Sequence, residues 1–429
     1  MHLSKSLKEG QELSNLTKWL EEKLLALNVT DTMARPDGFT RLSFTKEEKA
    51  AHIQFEQIAA ELGLKTYQDQ AGNCWAVWEV DPSASTIAMG SHLDTVDCGG
   101  GYDGVAGVLT ALTAVKGLQD IGFHPIKNIA VICFIAEESA RFGVSTIGSK
   151  AITGQLKLKE MEAIKDRNGI KMKQAMTDYG LDWESIEAAA LSLDSLESFI
   201  ELHIEQGMEL QETGAEIGIV KGIACPVRLV ITAKGMANHT GTTRMHQRQD
   251  AFVAIAPLVN FVQGEALKVN EKSEVPLVAT VSTIRLHPNA MNVIPGEVEL
   301  GIDIRSVDDR LKRDFAENIR TFVSELEVKK QIRIGVKTLV DNDSVKMDNI
   351  MHAKLTQASK TIGYETLSMN SGAGHDVMNM AANWPAGLIF IPCKDGLSHH
   401  PREFASIESL EKGTKVMMTF LQQEAGEPI

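Results

Sequence analysis

The 429-residue sequence contains few cysteines, and it has no excess of positive charge. Its five cysteines are widely spaced and form no CxxC pair, which argues against a disulfide framework and predicts reduced thiols. The formal net charge of −14 disfavours nucleic acid and anionic membrane surfaces as main partners, because both require clustered lysine and arginine. We therefore expect no nucleic-acid partner.

Long hydrophobic runs are also lacking. The longest, residues 129–136, is far too short to span a bilayer, and the segment MHLSKSLKEGQELSNL has no apolar core of signal-peptide length. These features predict a soluble, cytoplasmic protein with no membrane partner. The composition itself, 43% hydrophobic and 23% charged, is that of a globular protein, and the length predicts two domains.

The order of the predicted elements indicates an α/β fold with a large catalytic domain. Residues 47–63 have the apolar spacing of a helix, and a second helix is predicted at 104–118 between two apolar strands. Near-continuous apolar strands connected by helices are typical of a mixed, mostly parallel sheet that is covered on both faces. The runs predicted as strands are CWAVWEV, TIAMGSHL, NIAVICFIA and SFIELHIE.

A second pattern begins at about Gly214 and ends at about Asn342. A strand, a helix, two strands, a helix and a strand follow one another, which is the β-α-β-β-α-β order of a compact α+β domain. The first pattern then resumes with a helix near residues 350–362 and an apolar strand at 387–393. We therefore predict an inserted domain at 214–342 between two parts of a catalytic domain, 1–213 and 343–429.

Potential metal ligands stand where the apolar strands end. In open α/β sheets, binding sites collect outside the carboxyl ends of the strands. Any one of these residues by itself is as readily explained as a helix cap, a surface acid or a structural histidine. Five such placements are hard to explain by five separate structural causes. The five potential ligands that share this placement are His92, Asp103, Glu138, His203 and His399, and Asp94 and Glu137 stand beside them.

This set favours a hydrolytic site with two metal ions. Three histidines, one aspartate and one glutamate suit divalent Zn, Mn, Co or Ni. Two ions about 3.5–4 Å apart need a bridging carboxylate and activate a shared water. Asp103 fits the bridge, because it lies on a glycine-rich loop (GGGYDG). We expect Glu138 to bind metal, Glu137 to act as the general base, and Asp94 to orient the imidazole of His92.

The motifs together resemble a known family. They run in order over most of the chain and are GSHLDTV, GGGYDG, AEESARF, GSKAITG, HIEQG, ANHTGTT, NVIPGEVELGIDIRS, SGAGHD and GLSHHP. The chain resembles the zinc-dependent aminoacylase and carboxypeptidase family. Within it, the resemblance is to the branch of N-carbamoyl-L-amino-acid hydrolases, allantoate amidohydrolases and β-ureidopropionases. His203 is the sharpest marker of this branch, since peptidase relatives usually have aspartate there.

The resemblance implies two divalent ions per subunit that share Asp103. The two ligand sets would be His92, Asp103 and His203 for one ion, and Asp103, Glu138 and His399 for the other. Of the two adjacent histidines after Ser398, His399 matches the family ligand better than His400 does. Glu137 would be the base and Asp94 the partner of His92, as the strand-end placement also suggests.

The resemblance also implies residues that bind a small, carboxylate-bearing ureido substrate. His239 would reach the active site of a neighbouring subunit and polarise the scissile carbonyl, which implies a homodimer formed through the inserted domain. Asn292 and Arg305 would bind the carboxylate of the substrate, although Arg305 by itself reads as a surface arginine on a strand. Gln206 would contact the ureido group. The loop containing Gly372 and Gly374 would line the pocket.

The expected activity is hydrolysis of the carbamoyl C–N bond of N-carbamoyl-L-amino acids, with release of the amino acid, ammonia and carbon dioxide. Allantoate amidohydrolase activity is the nearest alternative, and a catalytically inactive binding relative is an alternative of another class. Two departures from the family pattern leave the substrate open. Arg244 stands where relatives usually have proline, and residues 74–80 lack the glycine-rich pattern of relatives.

Overall fold

The computed structural model describes residues 2–427, with side chains described from residue 15 onward. The described residues form two compact units. The larger unit comprises the residues up to Lys221, Met347–Met369 and the residues from His375 onward, and the smaller comprises Gly222–Lys346 and Asn370–Gly374. Residues 214–221, which we assigned to the inserted segment, thus lie in the larger unit. The roles of the predicted domains stay a prediction.

The helices and strands alternate along most of the chain. The helices are α1 His2–Leu27, α2 Lys46–Glu61, α3 Val105–Asp120, α4 Ile147–Ile152, α5 Leu158–Met161, α6 Met172–Tyr179, α7 Glu209–Thr213, α8 Ala251–Asn270, α9 Asp309–Lys330, α10 Asn349–Thr361, α11 Val377–Met380 and α12 Ile407–Ala425. The strands are β1 Lys65–Gln68, β2 Cys74–Trp78, β3 Thr86–His92, β4 Asn128–Phe134, β5 Ser198–Ile204, β6 Ile217–Ile223, β7 Pro226–Lys234, β8 Val278–His287, β9 Glu297–Arg305, β10 Arg333–Asp341, β11 Val345–Lys346, β12 Thr366–Ser371 and β13 Ala386–Ile391.

The larger unit is built on a mixed sheet, as the sequence predicts. Its strands follow the order β1-β2-β4-β3-β5-β13-β6, and β12 also pairs with β6. The four central strands β4, β3, β5 and β13 are parallel, β2 and β6 pair with this group antiparallel, and β1 pairs antiparallel with β2. Parallel strands end at the same edge of a sheet. The loops that follow β3, β4, β5 and β13 therefore start side by side.

The central strands are buried because helices cover them. Every residue of β4 and β5 is buried. Helices α1, α3 and α12 pack together and against the sheet to form the main apolar core. A second apolar cluster, which includes residues of α4 and α6, packs against Ile135 and Ala136 directly after β4. The start of the loop that carries Glu137 and Glu138 is thus held by a core of its own.

The smaller unit is an antiparallel sheet with two helices on one face. Its strand order is β10-β7-β9-β8, and the chain order β7-α8-β8-β9-α9-β10 is the predicted β-α-β-β-α-β order. Alternate residues of β7 are buried under the helices, among them Leu229 and Ile231, as expected for a sheet with one covered face. The rings of Phe261 and Phe322 stack with centroids 4.0 Å apart and join α8 to α9.

Helix α8 and strand β8 leave apolar side chains on the surface of the smaller unit. Val253, Val259 and Leu267 of α8 are exposed, as is Ile284 of the edge strand β8. By length and composition alone, α8 is also the one described helix that could cross a membrane, but core helices of water-soluble proteins pass the same test.

Candidate active site

The ends of the parallel strands place the predicted ligands close together. His92 is the last residue of β3 and pairs with Phe134, the last residue of β4. Ala136, which precedes Glu137, has a left-handed backbone with φ of 53°, and His399 has φ of 56°. Such residues cost about 1–3 kcal/mol each and persist only where the surroundings hold them. One strained residue thus lies directly before Glu137 and the other is itself a predicted ligand.

Three of the predicted ligands form a first group. The Nε2 atom of His92 lies 3.4 Å from Oδ1 of Asp103, and Nε2 of His203 lies 3.1 Å from the same oxygen. All three residues are buried, and their potential ligand atoms lie within 4.8 Å of one another. This spacing is compact enough for one ion.

A second group uses the other oxygen of the same aspartate. The Nε2 atom of His399 lies 3.4 Å from Oδ2 of Asp103 and 3.2 Å from Oε1 of Glu138. His400 instead uses its Nδ1 atom to accept a hydrogen bond from the backbone of Arg402, at 3.0 Å. Asp103 thus offers one oxygen to each group, which is the arrangement of a bridging carboxylate.

Asp94 links His92 to the loop that carries Glu137 and Glu138. It is fully buried, and its Oδ1 lies 3.4 Å from Nδ1 of His92, the ring nitrogen that faces away from Asp103. Its two oxygens also accept hydrogen bonds from the backbone N–H groups of Glu137, at 3.0 Å, and Glu138, at 2.9 Å. Asp94 therefore orients the loop with the two glutamates through its carboxylate, and it orients the His92 ring also through its backbone carbonyl, 3.1 Å from Nδ1.

Glu137 lies beside the first group without being one of its ligands. Its Oε2 atom is 3.8 Å from Nε2 of His92, and the residue is buried. Burial raises the pKa of Glu137 well above its usual range, against the opposing effect of His92, and the charge of Glu138 adds to the rise. A carboxyl group with a raised pKa near an imidazole is suited to transfer protons.

The site holds more buried carboxylates than histidines can neutralise. Burial alone would lower the pKa of His92, but Asp103 and Asp94 outweigh it and raise that pKa well above the usual range. Burial also raises the pKa of Glu138 and that of Glu201. Buried like charges are costly unless cations compensate them. The donor set and its negative charge therefore fit divalent cations with nitrogen and oxygen ligands.

Gln206 contacts the bridging aspartate. Its Nε2 atom donates to Oδ2 of Asp103 at 2.7 Å and to Oγ of Ser398 at 3.0 Å. Its Oε1 atom is buried and has no hydrogen-bond partner among the described residues. The amide is therefore positioned by the ligand cluster and keeps one acceptor for another group.

Several residues of the cluster were missed by sequence reasoning. Glu403 accepts hydrogen bonds from the loops of both Asp103 and His399. Glu201 and His375 form a further possible ligand group with His203, and the rings of His203 and His375 lie 4.5 Å apart. His375 lies within the motif SGAGHD, Glu403 closely follows GLSHHP and Glu201 lies in the strand SFIELHIE, so the signal that could have found them is their closeness to motifs already identified.

The predicted substrate-binding residues other than Gln206 lie in the smaller unit. The segments of His239 and Asn292 are adjacent, since the Thr240 N–H donates to the Asn292 carbonyl at 3.1 Å and His239 pairs with Val293. The side chains of His239 and Asn292 are both exposed. The Nδ1 atom of His239 accepts a hydrogen bond from the Gly241 backbone at 3.0 Å. This bond orients the ring and leaves Nε2 for another partner.

Arg305 ends β9 and contacts the predicted pocket loop. Its Nη1 atom donates to the Gly372 carbonyl at 2.8 Å, and its Nε atom donates to Oδ1 of Asp303 at 2.8 Å. Gly374 lies in the same loop of the smaller unit. The guanidinium is therefore positioned by two acceptors, and a substrate carboxylate would share it with Asp303. The side chain of Arg244 is exposed.

The chain is similar to known proteins over most of its length. The model of peptidase family M20/M25/M40 matches residues 78–423. The chain is 35% identical over 393 residues to the N-carbamoyl-L-amino-acid amidohydrolase of Paenarthrobacter aurescens, covering 91% of this chain and 94% of the relative. It is 32% identical over 389 residues to the allantoate amidohydrolase of Bacillus subtilis, and the match covers 90% of this chain and 93% of that relative.

A solved structure gives the same fold. The amidase of the hydantoinase/carbamoylase family from Burkholderia multivorans matches with a TM-score of 0.84 and 28% identity, over 96% of this chain and 98% of that chain. The family model covers well over half of the sequence and spans residues 92, 103, 137, 138, 203 and 399. The chain therefore belongs to peptidase family M20/M25/M40, and within it is a hydrolase of C–N bonds other than peptide bonds.

Proposed function

We propose that the protein hydrolyses the carbamoyl C–N bond of N-carbamoyl-L-amino acids, releasing the amino acid, ammonia and carbon dioxide. The observation that carries this proposal is the pair of ligand groups that share Asp103, with the buried Glu137 beside them. The likeness to an N-carbamoyl-L-amino-acid amidohydrolase at 35% identity supports the substrate class.

The two ligand groups would hold two divalent ions, Zn, Mn, Co or Ni, with Asp103 between them. When bound, such ions polarise a water and the carbonyl of the substrate. His92 would be kept in one orientation by Asp94, whose oxygen lies 3.4 Å from its Nδ1 atom. Asp94 also accepts the backbone N–H groups of Glu137 and Glu138, so it would hold the base and a ligand in one geometry.

Glu137 would move the proton. It would accept a proton from the attacking water and deliver it to the departing nitrogen. The water oxygen bonds to the ureido carbon, the C–N bond breaks, and the nitrogen leaves with the transferred proton. Counted overall, one N-carbamoyl amino acid and one water become one amino acid, one ammonia and one carbon dioxide.

Gln206 and residues of the smaller unit would recognise the substrate. Arg305 and Asn292 would bind its carboxylate, Gln206 its ureido group, and the loop of Gly372 and Gly374 would line the pocket. His239 of a neighbouring subunit would polarise the scissile carbonyl.

A homodimer formed through the smaller unit would supply that neighbouring subunit. The exposed apolar side chains of α8 and the edge strand β8 support it, because edge strands and apolar faces are stabilised by pairing with a second copy. In this proposal the enzyme acts in the cytoplasm.

Allantoate is the second candidate substrate. The similarity to the allantoate amidohydrolase of Bacillus subtilis extends over 90% of this chain at 32% identity, close to the value for the carbamoyl amidohydrolase. Both substrates carry a carboxylate and a ureido group, so the same residues would bind either one.

An ammonia-release assay tests these proposals. The protein is first stripped of metal with a chelator and then supplied with Mn, Co, Ni or Zn. It is offered N-carbamoyl-L-amino acids, N-carbamoyl-β-alanine and allantoate in turn, with Glu137→Gln protein as the control. We expect the highest kcat/KM on an N-carbamoyl-L-amino acid. Higher kcat/KM on allantoate would replace this substrate by the second candidate, and no metal-dependent release from any of the three would overturn the proposal.

A further inference from the structure

The carboxylate of Glu403 joins two ligand-bearing loops. Its Oε1 atom accepts the backbone N–H groups of Tyr102 and Asp103, both at 2.9 Å. Its Oε2 atom accepts the backbone N–H of His399 and the hydroxyl of Ser398, both at 3.2 Å. These loops are about 300 residues apart in the chain, so one side chain sets the relative positions of two ligand backbones.

The surroundings of Glu403 are shaped to keep it there. The residue is 5% exposed. A Cβ atom at Gly100 would lie 2.1 Å from Oε1 of Glu403, so this position in the GGGYDG loop must be glycine for the carboxylate to approach. The hydroxyl oxygen of Ser398 also lies 2.7 Å from Oδ2 of Asp103, so its one proton is shared between this oxygen and Oε2 of Glu403. Glu403, Ser398 and Asp103 therefore form a hydrogen-bonded network that includes Oδ2 of Asp103.

The ligands held by Glu403 differ from the others in how their backbones are supported. His92 is the last residue of β3, paired with β4, and His203 lies in β5, paired with β13. Strand pairing fixes those two backbones without further help. Asp103 and His399 lie in loops, so their separation depends on side chains that bridge the loops.

We propose that Glu403 is a positioning residue that sets the separation of Asp103 and His399 and thereby holds the second metal position, formed by Asp103, Glu138 and His399. This inference rests on the proposed two-ion site. The first metal position would be formed by His92, Asp103 and His203. It would depend on Glu403 less, because His92 and His203 belong to strands.

A metal titration separates the two positions. Metal-free protein is titrated with Mn(II) by calorimetry at one pH, and the electron paramagnetic resonance spectrum is recorded at two equivalents. The variants are Glu403→Gln, which keeps one carbonyl acceptor, and Glu403→Ala, which keeps none. The control is Asp348→Ala, which removes another carboxylate that accepts a backbone N–H, at the start of α10.

We expect two Mn(II) ions and a spin-coupled signal for the unaltered protein and for Asp348→Ala. In Glu403→Gln the second ion should bind about tenfold or more weakly, with the first within about threefold, since losing such supporting partners typically costs about 10–100-fold in affinity. The spin-coupled signal should weaken accordingly. Glu403→Ala should show a larger loss of the same ion.

Three outcomes would contradict the inference. Unchanged affinity for the second ion in folded Glu403→Gln protein overturns the role of Glu403 while leaving the two-ion site intact. An equal loss of both ions in that variant shows a general structural role instead. Fewer than two ions in the unaltered protein overturns the two-ion site itself, and the inference with it.

Discussion

The ligand cluster of the larger unit and the proposed recognition residues of the smaller unit are built in opposite ways. Asp94 and Asp103 are buried and each contacts several neighbours of the cluster. His239 and Asn292 are exposed, and the ring of His239 accepts a hydrogen bond from the backbone of Gly241. In the proposed function, the chemistry therefore depends on buried residues that many contacts hold in place, and substrate recognition depends on exposed residues that can change one at a time.

The same contrast predicts how each region responds to mutation. The smaller unit has its own apolar core between its sheet and its two helices, and the exposed residues contribute little to it. Changes there should alter substrate binding without unfolding the protein. In the ligand cluster, a change to one carboxylate also removes the hydrogen bonds that hold its neighbours, so it should alter metal binding or the chemical step.

Glu137→Gln should have the largest effect. Without a proton acceptor, kcat should fall by about 1,000-fold or more, while metal content stays within the range of the unaltered protein, because Glu137 is not a ligand in either group. Elemental analysis of the purified protein and the ammonia assay measure both quantities. The matched control is the adjacent Glu138→Gln, which should lose metal. Loss of metal in Glu137→Gln would mean that base and ligand are assigned the wrong way round.

His239→Ala tests whether the exposed region serves a neighbouring subunit. We expect kcat to fall by about 100-fold, since removing one group that stabilises a developing oxyanion typically costs that much or more. Inactive His239→Ala and inactive Glu137→Gln chains are then mixed and refolded together. Each mixed dimer should regain one working site, with His239 from one chain and Glu137 from the other. Verified mixed dimers that stay inactive would rule out action in trans.

Arg305→Ala should mainly raise KM, by about 10- to 100-fold, because a charge-assisted hydrogen bond contributes about 1.5–3 kcal/mol. Steady-state kinetics on an N-carbamoyl-L-amino acid measures it. Arg228→Ala is the matched control, since Arg228 also pairs with Asp303 at 2.8 Å but lies outside the proposed pocket. An unchanged KM for Arg305→Ala, or an equal rise for both variants, would remove Arg305 from substrate binding.

Arg244→Pro should have the smallest effect. Arg244 has φ of −60°, which proline also adopts, so the fold should be kept. Its side chain is exposed and makes no hydrogen bond or ion pair within the described part of the chain. We expect kcat/KM to change by about twofold at most across the substrate panel, as surface substitutions typically do. A larger shift in the ratio between two substrates would assign specificity to this position.

Local patterns in the sequence were sufficient for most elements that matter to the site. The buried strands β3, β4, β5 and β13 are short apolar runs, and the helix predicted at 104–118 is α3, Val105–Asp120. Strand β6 was missed, because the glycines of IGIVKGI interrupt its apolar pattern. Helix α1 was missed as well, since its many charged residues leave a weak apolar stripe.

The candidate ligands could be named from the sequence because strand ends are local signals. The residues that support these ligands could not be named from the sequence. The carboxylate of Glu48 accepts a hydrogen bond from the backbone N–H of Ala136 at 2.9 Å, directly before Glu137. Glu403 supports the loops of two ligands. Both glutamates read as ordinary charged residues in the sequence, because nothing local marks a side chain that will be buried against a distant loop.

The sequence by itself determined which side chains are available at the ends of the parallel strands, since apolar runs and the residues that follow them are properties of neighbouring positions. It also carried the ordered motifs from which family membership was inferred. Only the tertiary structure decided that Asp103 offers one oxygen to each ligand group and that Asp94, Glu48 and Glu403 hold the loops around it. Those contacts join residues tens to hundreds of positions apart, and their geometry exists only once the sheet has brought the strand ends to one edge.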